Sequence, residues 1–321
     1  MIRRRLTLLA LLCAPLMAWS QAYPNKPIRL VVPYAPGGAV DSLARPVAQK
    51  LSEILGQPVI VDNRPGANAT LGADNVARSS PDGYSIVLTS IVHYLVPFFS
   101  KNVPYDTMKD FTPIAQMAIT PNILAVHPSM PVNSIKELID YAKKNPGKID
   151  FASLGVGSQP HVALEAWSQR LGIKLNHVPY KTNPSPDVMS GVISLSVEAS
   201  TTAIPLIKTG KVKALGISGA QRIPNLPDVP TMTEFDANLD VNGVIGSSWH
   251  GIFAPTGTPN DVIAKLNAEI VKIVKTPEIQ GRMLDLGLTP TGTTSAALDA
   301  VANSDYAFWN KVVNDLNIKV D

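Results

Sequence analysis

The sequence predicts an α/β protein with mixed, mainly parallel sheets, built as two domains. Three observations lead there. Apolar runs of strand length alternate with amphipathic helical patterns along most of the chain. Two glycine-rich stretches, PYAPGGAVD and SLGVGSQPH, each join such a run to such a helix. Finally, 321 residues exceed what a single core usually holds.

Taken in order, residues 28–33 (IRLVVP) read as the first strand. The following helix places Val40, Leu43, Ala44, Val47, Ala48, Leu51, Ile54 and Leu55 on one stripe, the spacing of a helix laid on a sheet, and Gly56 ends it. Pro46 inside it lacks a backbone donor, so a late start or a slight kink is expected. Residues 59–61 form a second strand, 73–79 a helix, and 85–89 a third strand ending at Ser90. Strands follow at 114–117, 123–126, 151–153, 195–198, 214–218 and 251–254. Helices are expected at 135–144, 162–171, 186–190, 262–274 and 298–315. Crossovers near residues 124 and 250 would make one domain of 23–124 and 251–321, with 125–250 inserted as the second.

Residues 1–22 carry three arginines, an apolar run and then small residues, the parts of a cleavable signal peptide. The run from Leu6 to Trp19 is shorter than the roughly 20 residues needed to cross a bilayer. Cleavage before Tyr23 is expected, with a cut after Ser20 as the alternative. Taking its three arginines from 28 basic residues leaves 25 against 25 acidic ones. Such a balance gives no electrostatic footprint for nucleic acid or an anionic membrane. The single cysteine, Cys13, leaves with the leader, which excludes disulfides, cysteine catalysis and thiolate metal sites.

The first loop has two readings. Gly37 and Gly38 let successive N–H groups point into one concavity at the positive end of the next helix, which suits a carboxylate. The plainer reading is a strand-to-helix turn with Asp41 as N-cap. In the second loop Ser158 can cap a helix whose first turn holds Pro160 and His161, while Gly155 and Gly157 free the backbone. The dinucleotide fingerprint is incomplete, because Pro160 stands where its third glycine would be, and no phosphate-loop GK[ST] occurs. GISGA, residues 216–220, is one residue short of a serine-hydrolase elbow. The histidines at 93, 127, 161, 177 and 250 show no paired metal spacing. No cofactor and no metal are expected, and binding without catalysis is the preferred class over a hydrolase using Ser218.

Over essentially the whole chain after residue 22, the sequence resembles the periplasmic solute-binding proteins of tripartite tricarboxylate transporters, the Bug family. The resemblance is carried by YPNKPIRLVVPYAPGGAVD with Ala44-Arg45, LGQPVIVDNRPGAN, SPDGYSIVLTS, VPYDTMKDFTPIAQ, ELIDYAKKNPGKIDFASLGVGSQPHVALE, HVPYK, LPDVPTMTEF and HGIFAPTGTP. It implies a two-domain Venus-flytrap of the periplasmic-binding-protein class, type II-like, that closes on a small organic carboxylate. It also implies a monomer that delivers its ligand to inner-membrane transporter subunits; a ligand sensor docking on a receptor or sensor kinase is the alternative. By position, the implied ligand-binding residues are Tyr34, Ala35, Pro36, Gly37, Gly38 and Asp41 on one side, with Ser153, Gly155, Gly157, Ser158 and His161 on the other. Ser90, His93 and Tyr180 occupy cleft-lining positions in similar proteins. Glu198 stands where relatives often carry Asp, and would meet a polar or cationic part of the ligand. Two further departures are Gly66-Ala67-Asn68-Ala69 for the usual Gly-Ala-Gly-Gly, and Thr182-Asn183-Pro184 where HVPYK usually continues with Gly.

Overall fold

The computed structural model describes residues 23–100, 102–153, 155–156, 158–180, 182–236 and 246–315. The expected leader therefore lies outside the described residues, as does Gly157. In chain order the elements are β1 (Ile28–Val32), α1 (Ala39–Leu55), β2 (Val59–Asn63), α2 (Thr70–Ala77), β3 (Ser85–Ser90), α3 (Val92–Phe99), β4 (Phe111–Thr120) and β5 (Asn122–Val126). They continue with α4 (Ile135–Lys144), β6 (Asp150–Ser153), α5 (Gln159–Leu171), β7 (Asn176–Pro179), α6 (Ser185–Ser190), β8 (Leu195–Ala199), α7 (Ser200–Lys208) and β9 (Lys213–Ile217). The last are α8 (Met232–Phe235), β10 (Ser248–Pro255), α9 (Asn260–Val274), α10 (Pro277–Asp285), β11 (Thr289–Pro290) and α11 (Ser295–Asp315).

Two sheets result, in the orders β11-β4-β10-β3-β1-β2 and β7-β6-β8-β5-β9. They are mixed as expected, but not mainly parallel. Among the described residues four strand pairings run parallel and five antiparallel. The reason is the chain path: β4 runs straight on into β5 of the other sheet, β10 returns to the first, and these connecting strands lie against the grain of their neighbours.

Each sheet is covered on both faces, and β1 shows how. Ile28, Leu30 and Val32 pack with Leu43, Val47 and Leu51 of α1 and with Leu266 and Ile270 of α9, while Val31 faces Ala73, Val76 and Leu298. A strand buried on both sides reads as a near-continuous apolar run, which IRLVV is apart from the half-buried Arg29, whose Nη2 donates to Ser85 Oγ at 3.0 Å. Burying a side chain such as Leu43, 1% exposed, stabilises by about 1.5–3 kcal/mol. α1 starts at Ala39, ahead of Asp41, and continues through Pro46, so the expected late start is not found. Its buried stripe holds it to the sheet despite one missing backbone bond. In the second sheet, α4 and α5 cover one face through Leu138, Leu164 and Trp167, and α6 and α7 the other through Val188, Ala203 and Ile204.

Candidate functional site

Each sheet reverses its strand order once. In the first, β2 and β3 flank β1 and all three are parallel; in the second, β7 and β8 flank β6 in the same way. A reversal of this kind leaves a crevice beyond the carboxyl ends of the diverging strands. The loops that border it are those after β1 and β3 in the first sheet and after β6 and β8 in the second. These loops, with the strand ends and helix starts beside them, hold the described residues expected at the site, apart from Tyr180, which follows β7.

The two crevices adjoin. β4 ends at Thr120, opposite Ser248, and β5 begins at Asn122, opposite Ala199. Only Pro121 separates them, so the two Cα atoms are at most about 7.6 Å apart. Short bonds fasten this junction. Thr120 Oγ1 lies 2.6 Å from His250 Nε2, and His250 is the register partner of Ser90. On the other side the Ser200 N–H donates to the Pro121 carbonyl at 2.8 Å, and the Asn122 N–H donates to Ser218 Oγ at 2.7 Å. Ser218, the serine of the hydrolase alternative, is thus a buried fastener, with Ser247 Oγ as its other hydroxyl contact at 2.8 Å.

At the first crevice Tyr34 reaches across from β1 to β3, its hydroxyl 2.8 Å from Ser90 Oγ and 3.4 Å from Thr89 Oγ1. Burial pushes its phenol pKa up. Ala35, Pro36, Gly37 and Gly38 are exposed. Gly37 takes φ +81°, a conformation that strains any other residue. Two of the loop donors are already committed: the Gly37 N–H donates to Asp41 Oδ2 at 2.9 Å and the Gly38 N–H to the Ala35 carbonyl at 3.4 Å. The N–H groups at the first turn of α1 have no acceptor within the helix, and they form the positive end of its dipole.

Asp41 does not cap the helix. The N-cap is Gly38, and Asp41, 2% exposed, braces the loop from inside the first turn. Its carboxylate accepts from Arg45 through Nε and Nη2, both at 2.9 Å, and from Asn63 Nδ2 at 2.9 Å. Burial works against its charge, but the bonds from Arg45, Gly37 and Asn63 outweigh it and hold the pKa below the usual carboxylate range. Asn63 also donates to the Tyr34 carbonyl at 3.1 Å, making it a loop-holding residue that the motifs did not single out.

His93, expected to line the cleft, is enclosed. It is 1% exposed, stacked on Tyr105 with centroids 5.2 Å apart and edge-on to Phe111 at 4.5 Å. Burial lowers its pKa to about 3. The structure brings Ser90 and Tyr34 together at the crevice and sets the His93 ring behind them.

At the second crevice Ser153 ends β6, Gly155 turns at φ +111°, and Ser158 is the N-cap of α5. Ser158 gives its hydroxyl to the Gly155 carbonyl at 2.8 Å rather than to the helix. Val156, 64% exposed, puts an apolar side chain in this loop that the glycine pattern concealed. His161 stacks on His177 with ring centroids 4.0 Å apart, and burial lowers the pKa of both. Tyr180 follows β7; its hydroxyl donates to Asp187 Oδ2 at 2.6 Å, and that bond raises its pKa. Glu198, 7% exposed near the end of β8, has one oxygen 3.3 Å from Ser185 Oγ, and burial pushes its carboxyl pKa up. The Thr182-Asn183-Pro184 departure has a local use: Asn183 Oδ1 accepts from Ser185 N–H at 3.0 Å and from its hydroxyl at 2.7 Å, starting α6.

Residues 33–41, 89–94, 153–161 and 198–203 contain no lysine or arginine. Backbone N–H groups at helix starts and hydroxyls are what these loops offer, a donor set that holds a carboxylate without a cation. A surface cavity of about 560 Å³ is lined by Arg64, Asp74 and Arg78 among others, none of them in these loops. Its arginines are already ion-paired, Arg64 with Asp62 and Arg78 with Asp74.

Comparison with known proteins identifies the family and the fold. The family model described as "Tripartite tricarboxylate transporter family receptor" matches residues 43–318. The Bordetella pertussis protein BugT is 32% identical over 313 residues, covering 96% of this chain and 94% of BugT. Among solved structures, R. palustris Rpa4515 with adipate has a TM-score of 0.77 at 30% identity, over 93% of this chain and 100% of that one. MatC from Rhodopseudomonas palustris, with bound malate, has a TM-score of 0.71 at 29% identity, over 91% and 100%. Such proteins bind and carry rather than catalyse. By sequence match and by fold, this chain belongs to the tripartite tricarboxylate transporter receptors, the Bug family of solute-binding proteins.

Proposed function

We propose that this protein captures a small organic carboxylate between two domains, in the periplasm, and hands it to inner-membrane subunits of a tripartite transporter. We take the domains to divide at Pro121 and just ahead of Ser248, a few residues from the expected 124 and 250, because β5 (Asn122–Val126) belongs to the second sheet and β10 (Ser248–Pro255) to the first. The observation that carries the reading is the junction at Pro121, which sets two strand-switch crevices side by side, each opening at helix N-termini. A diacid would place one carboxylate at the loop before α1 and the other at the loop before α5, so that ligand contacts favour the closed arrangement. The ligand contacts we assign are the loop from Tyr34 to Gly38, Ser90, the loop from Ser153 to Ser158, and the Tyr180 and Glu198 wall, with Asp41, His93 and His161 as the backing that holds them. Adipate and malate in the related structures favour dicarboxylates of four to six carbons.

A thermal-shift screen against adipate, malate, succinate, citrate and acidic amino acids tests this. At a hundredfold excess over Kd, a true ligand adds about 2.7 kcal/mol of stability. A folded protein that responds to no carboxylate would refute the reading.

A further inference from the structure

The second loop is held in shape by a residue from the neighbouring strand. Ser153 Oγ lies 2.6 Å from His177 Nε2 and 3.0 Å from the Gly155 carbonyl, and it accepts the Gly155 N–H at 3.2 Å. A hydroxyl carries one proton. If that proton goes to the Gly155 carbonyl, all three contacts are hydrogen bonds only when His177 is protonated on Nε2 and donates to Ser153. The Gly155 carbonyl also accepts the Ser158 hydroxyl at 2.8 Å and the Ser158 N–H at 3.2 Å. The network thus runs from β7 through the end of β6 to the N-cap of α5. The His177 ring is fixed by flat stacking on both sides, on Phe151 with centroids 4.8 Å apart and on His161 at 4.0 Å.

We infer that His177 is a positioning residue: its Nε2–H, acting through Ser153, sets the backbone of the loop that presents donors to the ligand carboxylate. It does so without touching the ligand. The inference rests on the reading of that loop as ligand-holding. A histidine used only for packing would need its ring and not its proton, and this separates the two roles.

The experiment compares His177→Phe, which keeps a flat ring for the stack but has no donor, with His177→Gln, which keeps an N–H donor. Amide exchange at Gly155 and Ser158 is followed without ligand, and Kd for adipate and malate is measured by calorimetry. His177→Phe should exchange at least tenfold faster at both amides and bind at least tenfold more weakly, and His177→Gln should return both to within threefold of the unmodified protein. Unchanged exchange in His177→Phe, or a His177→Gln variant as impaired as His177→Phe, overturns the inference. Should neither acid bind the unmodified protein, the ligand-holding reading fails, and the amide exchange still decides whether His177 sets the loop. Should His177→Phe fail to fold, Ser153→Ala takes its place; a folded Ser153→Ala protein with unchanged Gly155 and Ser158 exchange overturns the proposal equally.

Discussion

His93→Phe should make the protein markedly more tolerant of acid. The imidazole is 1% exposed among Tyr94, Tyr105, Phe111 and Phe253, with its Nδ1 3.3 Å from the Tyr105 hydroxyl and its Nε2 unpartnered. Only the neutral ring suits that setting, and burial lowers its pKa from 6.5 to about 3. The unfolded chain therefore binds a proton that the folded chain refuses. Stability from this group is complete above pH 6.5 and drains away as pH falls toward 3. At pH 4.5 the loss is on the order of 2–3 kcal/mol, from the ratio of proton-binding terms in the two states. His250, lowered by burial to about 4, adds its own loss in both proteins and cancels in the comparison. At pH 7.5 the phenyl ring keeps the packing and removes an unpaired nitrogen, so the variant should lie within about 1 kcal/mol of the unmodified protein. Urea unfolding at pH 7.5 and pH 4.5 reads both quantities. An equal drop in the two proteins would refute the argument: His93 would then titrate as an exposed histidine does, and its ring would face the crevice after all.

Three further predictions test other parts of the molecule. Gly38 has an ordinary φ of −73° and a Cβ there would meet only the Ala35 carbonyl at 3.4 Å, so Gly38→Val should fold; its added methyls over the α1 start should weaken carboxylate binding at least tenfold, about 1.4 kcal/mol by calorimetry. Ser200→Ala removes a buried hydroxyl that donates to the Gly287 carbonyl at 2.6 Å between the two sheets, and should cost about 1–2 kcal/mol in denaturant unfolding. Ala67, Asn68 and Ala69 all stand at positive φ; the exposed Ala67→Gly should raise stability by about 0.5–1 kcal/mol, visible as a higher Tm, with relief of left-handed strain exceeding the glycine entropy cost.

Much of the local structure was legible because it is written in local periodicity. α1 and α4 show their buried stripes directly, and the strand-loop-helix units at residues 28–56 and 151–171 announce themselves through glycine between an apolar run and an amphipathic one. α3 and α7 did not: VHYLVPFF is apolar all round, and STTAIPLIK carries Pro205 in its middle. The candidate site was legible as two loops and not as a geometry. That Asp41 spends its carboxylate on Asn63 as well as on its helix neighbour Arg45, or that the His93 ring lies against Phe253, depends on strands that meet from far apart in the chain. The same holds for the two strand reversals. The halves share a design with no sequence repeat to betray it, since β2-β1-β3 and β7-β6-β8 are alike only in how their strands pair.

The lack of lysine and arginine in the crevice loops also bears on how a ligand would be caught. Hydrogen bonds to backbone N–H groups act at contact distance, whereas fixed cations attract anions over a Debye length and lose that pull as ions accumulate. A binding protein built this way forgoes long-range steering, and its affinity and capture rate should change little with ionic strength. In the proposed periplasmic setting, where salt follows the outside medium, that trades speed at low salt for constancy.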